Sequence, residues 1–506
     1  MRIERCWLAV CLLAWSMWLA GPVHASPLLE LGGSIGDQGG QQGRTLANGA
    51  SAAYFNPALL GDGSTGVSLG VLILHSAIDV QVAARGDPRA DVPNDFENAA
   101  HADGTRFDGY PLGTDILEHG REESSIHSAT SARPRQAAGT GKGTQSYEAI
   151  GIVAQFFERR LSIGLYGLIP NQPFLRMRSF YVDEREQYLS NSLHPELYGD
   201  RTSPLAMSTG IGYRFNKAFS LGLGSSFVVR AAATTPVFVA DAARLQDLVL
   251  NVDAQGNVGF APHGGFAWNP LPRWRITGTL HAPQRQQVDA HVRFLLASGL
   301  EQTSSMHFVF DWMPWQASLG TSVDVLQQAS RTLTLSASAL FGRWSRYVDR
   351  HGERPLPGLA WQDTITPAVG LRGTFHDLRV GLDLQYKPTP VPLQFGRSNY
   401  VDNDRVGTNL NLDYAFRVLD TTLRLGVSLQ SFWLLHRSVR KLTPPSFADG
   451  RDRTPSLVKD EVPDDAQLSG VPIAGAAGLQ TNNPGWPGFS SGGWLTTAGL
   501  YLAVNL

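Results

Sequence analysis

Few side chains in this 506-residue sequence are spaced for covalent or metal chemistry. Both cysteines, Cys6 and Cys11, fall within the first dozen residues, so removal of a leader would leave neither disulfide nor thiolate. There is no His-Glu-x-x-His run, and His194 and His307 have no partner at ligand spacing. No nucleophile, base and orienting acid can be read as converging. No metal site, cofactor or enzymatic activity is therefore expected. Lys and Arg number 42 against 44 Asp and Glu, without a basic block, which argues against a nucleic-acid partner. Arg85-Gly86-Asp87 lies in a polar stretch and reads as solvated loop rather than an adhesive site.

The residues that remain to do work must be placed by long-range structure. Met1–Ala25 carries Arg2 and Arg5, an apolar run from Trp7 to Ala20, then Val23-His24-Ala25, the pattern of a secretory signal peptide. No other stretch reaches the apolar length of a spanning helix. The rest is then either an exported soluble protein or a membrane β-barrel.

Period-two alternation favours the barrel. Leu378, Val380, Leu382, Leu384 and Tyr386 alternate with Arg379, Gly381, Asp383 and Gln385. The same pattern recurs at 410–416, 423–430 and 500–506. Fourteen such segments are predicted, near 66–83, 146–157, 160–169, 205–216, 219–233, 258–268, 273–295, 306–326, 331–344, 365–375, 378–387, 407–417, 420–434 and 494–506. Their connections alternate short (Glu158-Arg159, His376-Asp377) and long (84–145, 435–493), as in outer-membrane barrels. Trp268, Trp274, Trp312, Trp315, Trp344, Trp433 and Trp494 fall near strand ends and are assigned to aromatic girdles. Val239–Leu250 reads as a short amphipathic helix over the barrel mouth.

The expected fold class is all-β, a 14-stranded antiparallel transmembrane β-barrel. Its expected parts are a leader (1–25), an N-terminal hatch inside the lumen (26–65) and the barrel (66–506). The hatch follows from size: a fourteen-strand bore is too wide for its own side chains to fill. The Gly-rich, small-residue segment before the first strand is the candidate stopper.

That segment ends in Ser51–Leu60, with a Tyr-Phe-Asn-Pro-Ala core. It resembles the plug signature of the FadL/TodX family of outer-membrane transport proteins. Leu165-Tyr166-Gly167-Leu168, Ser220–Gly224, Trp344-Ser345, Trp361–Thr364, Thr389–Pro392 and Asp402–Arg405 follow in the family's order. The resemblance implies capture of hydrophobic compounds, notably long-chain fatty acids, at extracellular loops, then hatch movement and lateral release at a kink in strand 3. It assigns Asn56, Pro57 and Ala58 to the hatch motif. It assigns Gly164, Tyr166, Gly167, Leu168 and Pro170 to the lateral gate, and Arg230 to the ligand carboxylate. Gln362 stands where the family carries a second basic residue. The implied location is the bacterial outer membrane. Implied partners are fatty acids or hydrocarbons, membrane lipids and the barrel-assembly machinery, with the protein a monomer. A surface-exposed binding or adhesive barrel without transport is the alternative.

Overall fold

The computed structural model describes residues 28–82, 100–101, 143–171, 194–195, 205–229, 233–239, 248–256, 259–295, 301–348, 360–392, 400–419, 421–440, 467–468, 471–474 and 488–505. The leader Met1–Ala25, the Arg85-Gly86-Asp87 tripeptide and Arg230 lie outside them.

Fourteen strands close into one antiparallel barrel. They are β1 (Gly66–Val82), β2 (Gly143–Phe156), β3 (Leu161–Pro170), β4 (Leu205–Arg214), β5 (Phe219–Val229), β6 (Gly259–Leu271) and β7 (Trp274–His281). The ring continues with β8 (Gln316–Gln328), β9 (Arg331–Gly342), β10 (Thr364–Phe375), β11 (Leu378–Lys387), β12 (Arg405–Val418), β13 (Thr421–Arg440) and β14 (Gly488–Asn505). Each pairs with its sequence neighbours, and β1 closes on β14 from Gly66↔Asn505 to Val82↔Phe489.

Alternation sets the two faces of this wall. On β1, Val67, Leu69, Val71 and Ile73 face outward, with Leu69 58% exposed, whereas Leu72 and Leu74 are buried inside. On β12, Leu410, Leu412 and Tyr414 face outward while Asn409, Asn411 and Asp413 are buried in the lumen. An exterior of Leu, Val, Ile and aromatic residues suits lipid, and closure leaves no strand edge there. Among the described residues, no helix is long and apolar enough to cross a membrane. The chain is a transmembrane β-barrel.

Short turns join the strands at one end. Phe157, Glu158 and Arg159 all adopt positive φ, as do His376 and Leu419, which lets the chain reverse within a few residues. Trp268 and Trp274 are exposed near this end, and Trp315, Trp433 and Trp494 near the other, so these five fit the girdles. Trp433 and Trp494 stack on neighbouring strands with ring centroids 5.9 Å apart.

The structure corrects three expectations. Trp312 and Trp344 are not girdle residues. They are buried, in contact with each other and with Tyr347 and Trp361. The predicted segments 273–295 and 306–326 are not single barrel strands. Pro283 and Pro314 have no N–H to give the ladder. Beyond them the chain forms strands Gln284–Leu295 and Glu301–Met313, which join Ala233–Val239 and Leu248–Gly256 in a separate four-stranded sheet. The expected helix over Val239–Leu250 is absent at both ends, because Val239 closes one strand of that sheet and Leu248–Leu250 open the next. β-branched Val237, Val239, Val249 and Val252 favour the extended form there. Two distant long loops also meet, Ala100 pairing with Ala474 and His101 with Ile473.

A charge on the outer face is expected to be costly. Leu500→Arg on β14 should destabilise the barrel by about 2–4 kcal/mol if the site lies at mid-depth, read as a shifted midpoint for unfolding from lipid vesicles. An unshifted midpoint would remove Leu500 from the lipid-facing surface.

Candidate functional site

Residues 28–63 fill the lumen. They form three single-turn helices, α1 (Leu28–Gly32), α2 (Gly43–Leu46) and α3 (Ala52–Phe55), followed by a 3₁₀ segment, Pro57–Asp62. Helices this short cannot persist alone. Small residues let them pack closely: Ala47, Ala50, Ala52, Ala53 and Ala58 are buried together with Leu28, Leu29, Leu59 and Leu60.

Asn56 organises the end of this plug. Its extended backbone (φ −161°) separates α3 from the 3₁₀ turn, and its side-chain oxygen accepts the Ala58 N–H at 3.2 Å. Pro57 occupies the first helical position, where a missing N–H costs nothing. The Asn56 amide donates to the Arg44 carbonyl at 3.0 Å and to the Phe266 carbonyl on β6 at 3.3 Å. One buried side chain thus caps a turn, ties α2 to α3 and fixes both to the wall.

The wall receives this motif through glycines that sequence reading left unassigned. A Cβ at Gly222 on β5 would stand 2.2 Å from the Ala58 nitrogen and 2.3 Å from the Pro57 carbonyl carbon. One at Gly265 would meet the Asn56 side-chain oxygen at 2.3 Å, and one at Gly212 the Pro57 carbonyl oxygen at 2.4 Å. The signal was present as inward-parity glycines on adjacent strands, but nothing in the sequence pairs them with Pro57.

Polar anchors hold the rest. Arg372 on β10 and Asp383 on β11 form a buried two-point ion pair at 2.6 and 2.9 Å. Arg372 also donates to the Gln38 and Gly39 carbonyls, and Asp383 accepts the Gln41 N–H at 2.9 Å. On β6, the His263 Nε2–H donates to the Ala53 carbonyl at 2.7 Å, and its ring stacks on His281 of β7. Ser34 lies in a Gly-x-Ser-x-Gly pattern, the spacing of a hydrolase nucleophile. Its hydroxyl instead bonds Asp37 and Ser51, and burial pushes the Asp37 carboxyl above its usual range despite those hydroxyls. This is a knot within the plug. Among the described residues no group of three His, Cys, Asp or Glu is placed to hold a metal.

The residues assigned to the lateral gate fall on β3. Tyr166 and Leu168 point inward and are buried, the Tyr166 hydroxyl donating to the Gly33 carbonyl at 2.8 Å. Gly164 leaves room for Leu60, whereas Gly167 faces the other way, beside Met207. The β3 ladder runs in unbroken register with β2 to Pro170 and with β4 to Leu168. Among the described residues, the last two of β3 have register partners on β2 only. Gln362 is exposed.

A cavity lies between the plug and the barrel wall on the long-loop side. Its plug side carries Glu30, Leu31, Arg44 and Phe55, and its wall side Lys387, Arg405, Trp344 and Phe432. It adjoins an apolar cluster in which Tyr347 and Trp361 stack at 3.6 Å, with Trp312, Tyr400 and Val391 around them. Arg405 is 2% exposed and 3.4 Å from Asp402, and among the described residues its Nε has no hydrogen-bond partner. Neither Lys387 nor Arg405 was foreseen. Arg405 lies inside the quoted Asp402–Arg405 run, and Lys387 ends an alternating strand, but only the fold puts them on one cavity.

No family model matches the sequence, and no curated protein does so. Among solved structures, a FadL homologue from Pseudomonas aeruginosa superposes with a TM-score of 0.53 at 16% identity, covering 96% of this chain and 99% of that one. The Pseudomonas putida toluene transporter TodX (TM-score 0.44, 11% identity, 96% and 99% covered) and the Ralstonia pickettii toluene transporter TbuX (0.39, 10%, 96% and 98%) are also similar. The first likeness establishes that this chain shares the fold of a FadL-type barrel.

The glycine cradle generates a direct test. Gly222→Ala overpacks the Pro57–Ala58 contact by about 1–3 kcal/mol. The barrel should still form and keep its heat-modifiable gel mobility, while permeability to small sugars rises in vesicle-swelling assays. Unaltered permeability would mean that this contact does not hold the plug.

Proposed function

We propose that the protein carries hydrophobic compounds, long-chain fatty acids foremost, inward across the bacterial outer membrane. Ligand collects among the long loops, passes the aromatic cluster and reaches the cavity above the plug. The N-terminal segment then acts as a hatch, with Asn56, Pro57 and Ala58 as its working motif. The carrying observation is the cavity's composition: apolar and aromatic walls beside Lys387 and Arg405, a layout matched to a hydrocarbon tail ending in a carboxylate. A charge-assisted contact from either cation would hold the head group. The fold shared with a FadL homologue supports the same reading.

Lateral exit suits such cargo, since moving from an apolar pocket into lipid never exposes the tail to water. The upper end of β3 is the proposed gate, because among the described residues Ile169 and Pro170 pair only with β2 and Pro170 offers no donor. A purely adhesive barrel would need neither a filled bore nor an internal cavity of this composition.

Cells lacking their own importer and expressing this protein should take up radiolabelled oleate. The double variant Lys387→Gln/Arg405→Gln should reduce that uptake at least about tenfold at equal surface abundance, the loss of a charge-assisted contact. Absence of oleate uptake by abundant, folded protein would overturn the fatty-acid reading. For the gate, cysteines replacing Leu168 and Ala206, the facing pair next to the proposed opening, should form a cross-link that blocks uptake until reduced. Full uptake by the cross-linked protein would place the exit elsewhere.

A further inference from the structure

The three turns of the plug are joined by one buried polar knot. Arg44 on α2 makes a two-point contact with Glu30 on α1, at 3.0 and 2.5 Å. The Tyr54 hydroxyl on α3 donates to the same Glu30 oxygen at 2.6 Å. Arg44 also donates to the Gln316 side chain on β8 at 2.9 Å and lies 5.7 Å from the centre of the Phe55 ring. Its backbone carbonyl accepts the Asn56 amide. Arg44 thus reaches α1, α3 and the wall through its side chain and the Asn56-Pro57 motif through its backbone carbonyl.

This knot borders the cavity. Among the described residues that line it, Glu30 is the only carboxylate, and the cations are Arg44, Lys387 and Arg405. Burial pushes the Glu30 carboxyl up, but the Arg44 guanidinium, the Tyr54 hydroxyl and Lys387 together hold the group below its usual range. Glu30 is thus an ionised carboxylate held among cations. An entering carboxylate has the same shape, charge and fork-matching geometry.

We propose that Glu30 stands in for the ligand's carboxylate and that Arg44 is the residue they compete for, so an anionic head group unties the plug. This rests on the transport reading. When the ligand's carboxylate takes the Arg44 fork, Glu30 keeps Tyr54 and has Lys387 nearby as its alternative counter-charge. The tie from α1 to α2 is then lost, and α3, with Asn56-Pro57 at its end, is held less firmly. A ligand shifts such an equilibrium only by its differential affinity for the two states. A neutral hydrocarbon fits the apolar cluster but has nothing to offer Arg44. The knot therefore makes opening selective for acids even where binding is not.

The test uses full-length protein in lipid vesicles, with oleate and oleyl alcohol as probes. Permeability to a small sugar reports opening, and quenching of tryptophan fluorescence by brominated analogues of both probes reports binding. Protein-free vesicles with each probe give the background. Wild-type protein should bind both probes and open only with oleate. Glu30→Gln should open with about tenfold less oleate, reflecting one weakened charge-assisted contact. Tyr54→Phe should shift the response in the same direction by less, which keeps the test decisive if Glu30→Gln fails to fold. Equal opening by the alcohol, or unchanged oleate thresholds in both variants with binding intact, overturns the competition and leaves the transport reading standing. Failure of oleate to bind at all overturns both.

Discussion

The pairing of β1 with β14, from Gly66↔Asn505 to Val82↔Phe489, is the constraint from which the rest of the molecule follows. In hydrocarbon an unpaired N–H or C=O costs several kcal/mol, so a sheet can cross lipid only without an edge. Closure removes the edges, and fourteen strands make a bore too wide for inward side chains to fill. The lumen must then be water or protein. Here it is protein, and the inward face of every strand is selected for contact with the plug rather than with solvent.

That selection explains why the inner wall is made of glycine, small hydroxyl residues and a few charged pairs. Glycines at 210, 212 and 222 bring the wall against the backbone of Ala53, Pro57 and Ala58, and Gly265 leaves room for the Asn56 side chain. Charged pairs such as Arg372–Asp383 satisfy plug carbonyls and amides that no regular element pairs. Removing one partner of such a buried pair costs about 3–5 kcal/mol, because the other is left uncompensated. The plug is thus held by specific polar contacts together with an apolar cluster in which Leu28, Leu29, Leu59 and Leu60 pack with Leu72, Tyr147 and Leu168 of the wall.

The cavity sits where the two environments meet. Above it, Trp312, Trp344, Tyr347, Trp361 and Phe432 form an apolar cluster inside the mouth. Below it lie the polar contacts of the plug. An amphiphile has the same division, and this correspondence links the architecture to the proposed cargo.

Much of the barrel was legible in the sequence because a lipid-facing strand imposes a strict period of two. Leu378–Tyr386 could take no other form. The period is less informative where prolines intervene: Pro283 and Pro314 bound barrel strands that apolar alternation alone would extend. Tryptophans near strand ends could be placed by height but not by side, so Trp312 and Trp344 turned inward against expectation. The Asn56-Pro57-Ala58 motif was visible as a turn, since capping chemistry is local. Its receptor was not, because Gly222 and Gly265 are over 160 residues away and become its neighbours only when β4, β5 and β6 take their register. Lys387, Arg405, Glu30 and Arg44 are ordinary charged residues in the sequence. Only ring closure puts them around one cavity, because burial and charge proximity belong to three-dimensional distance, and periodicity carries no information about which rungs of distant strands stand level.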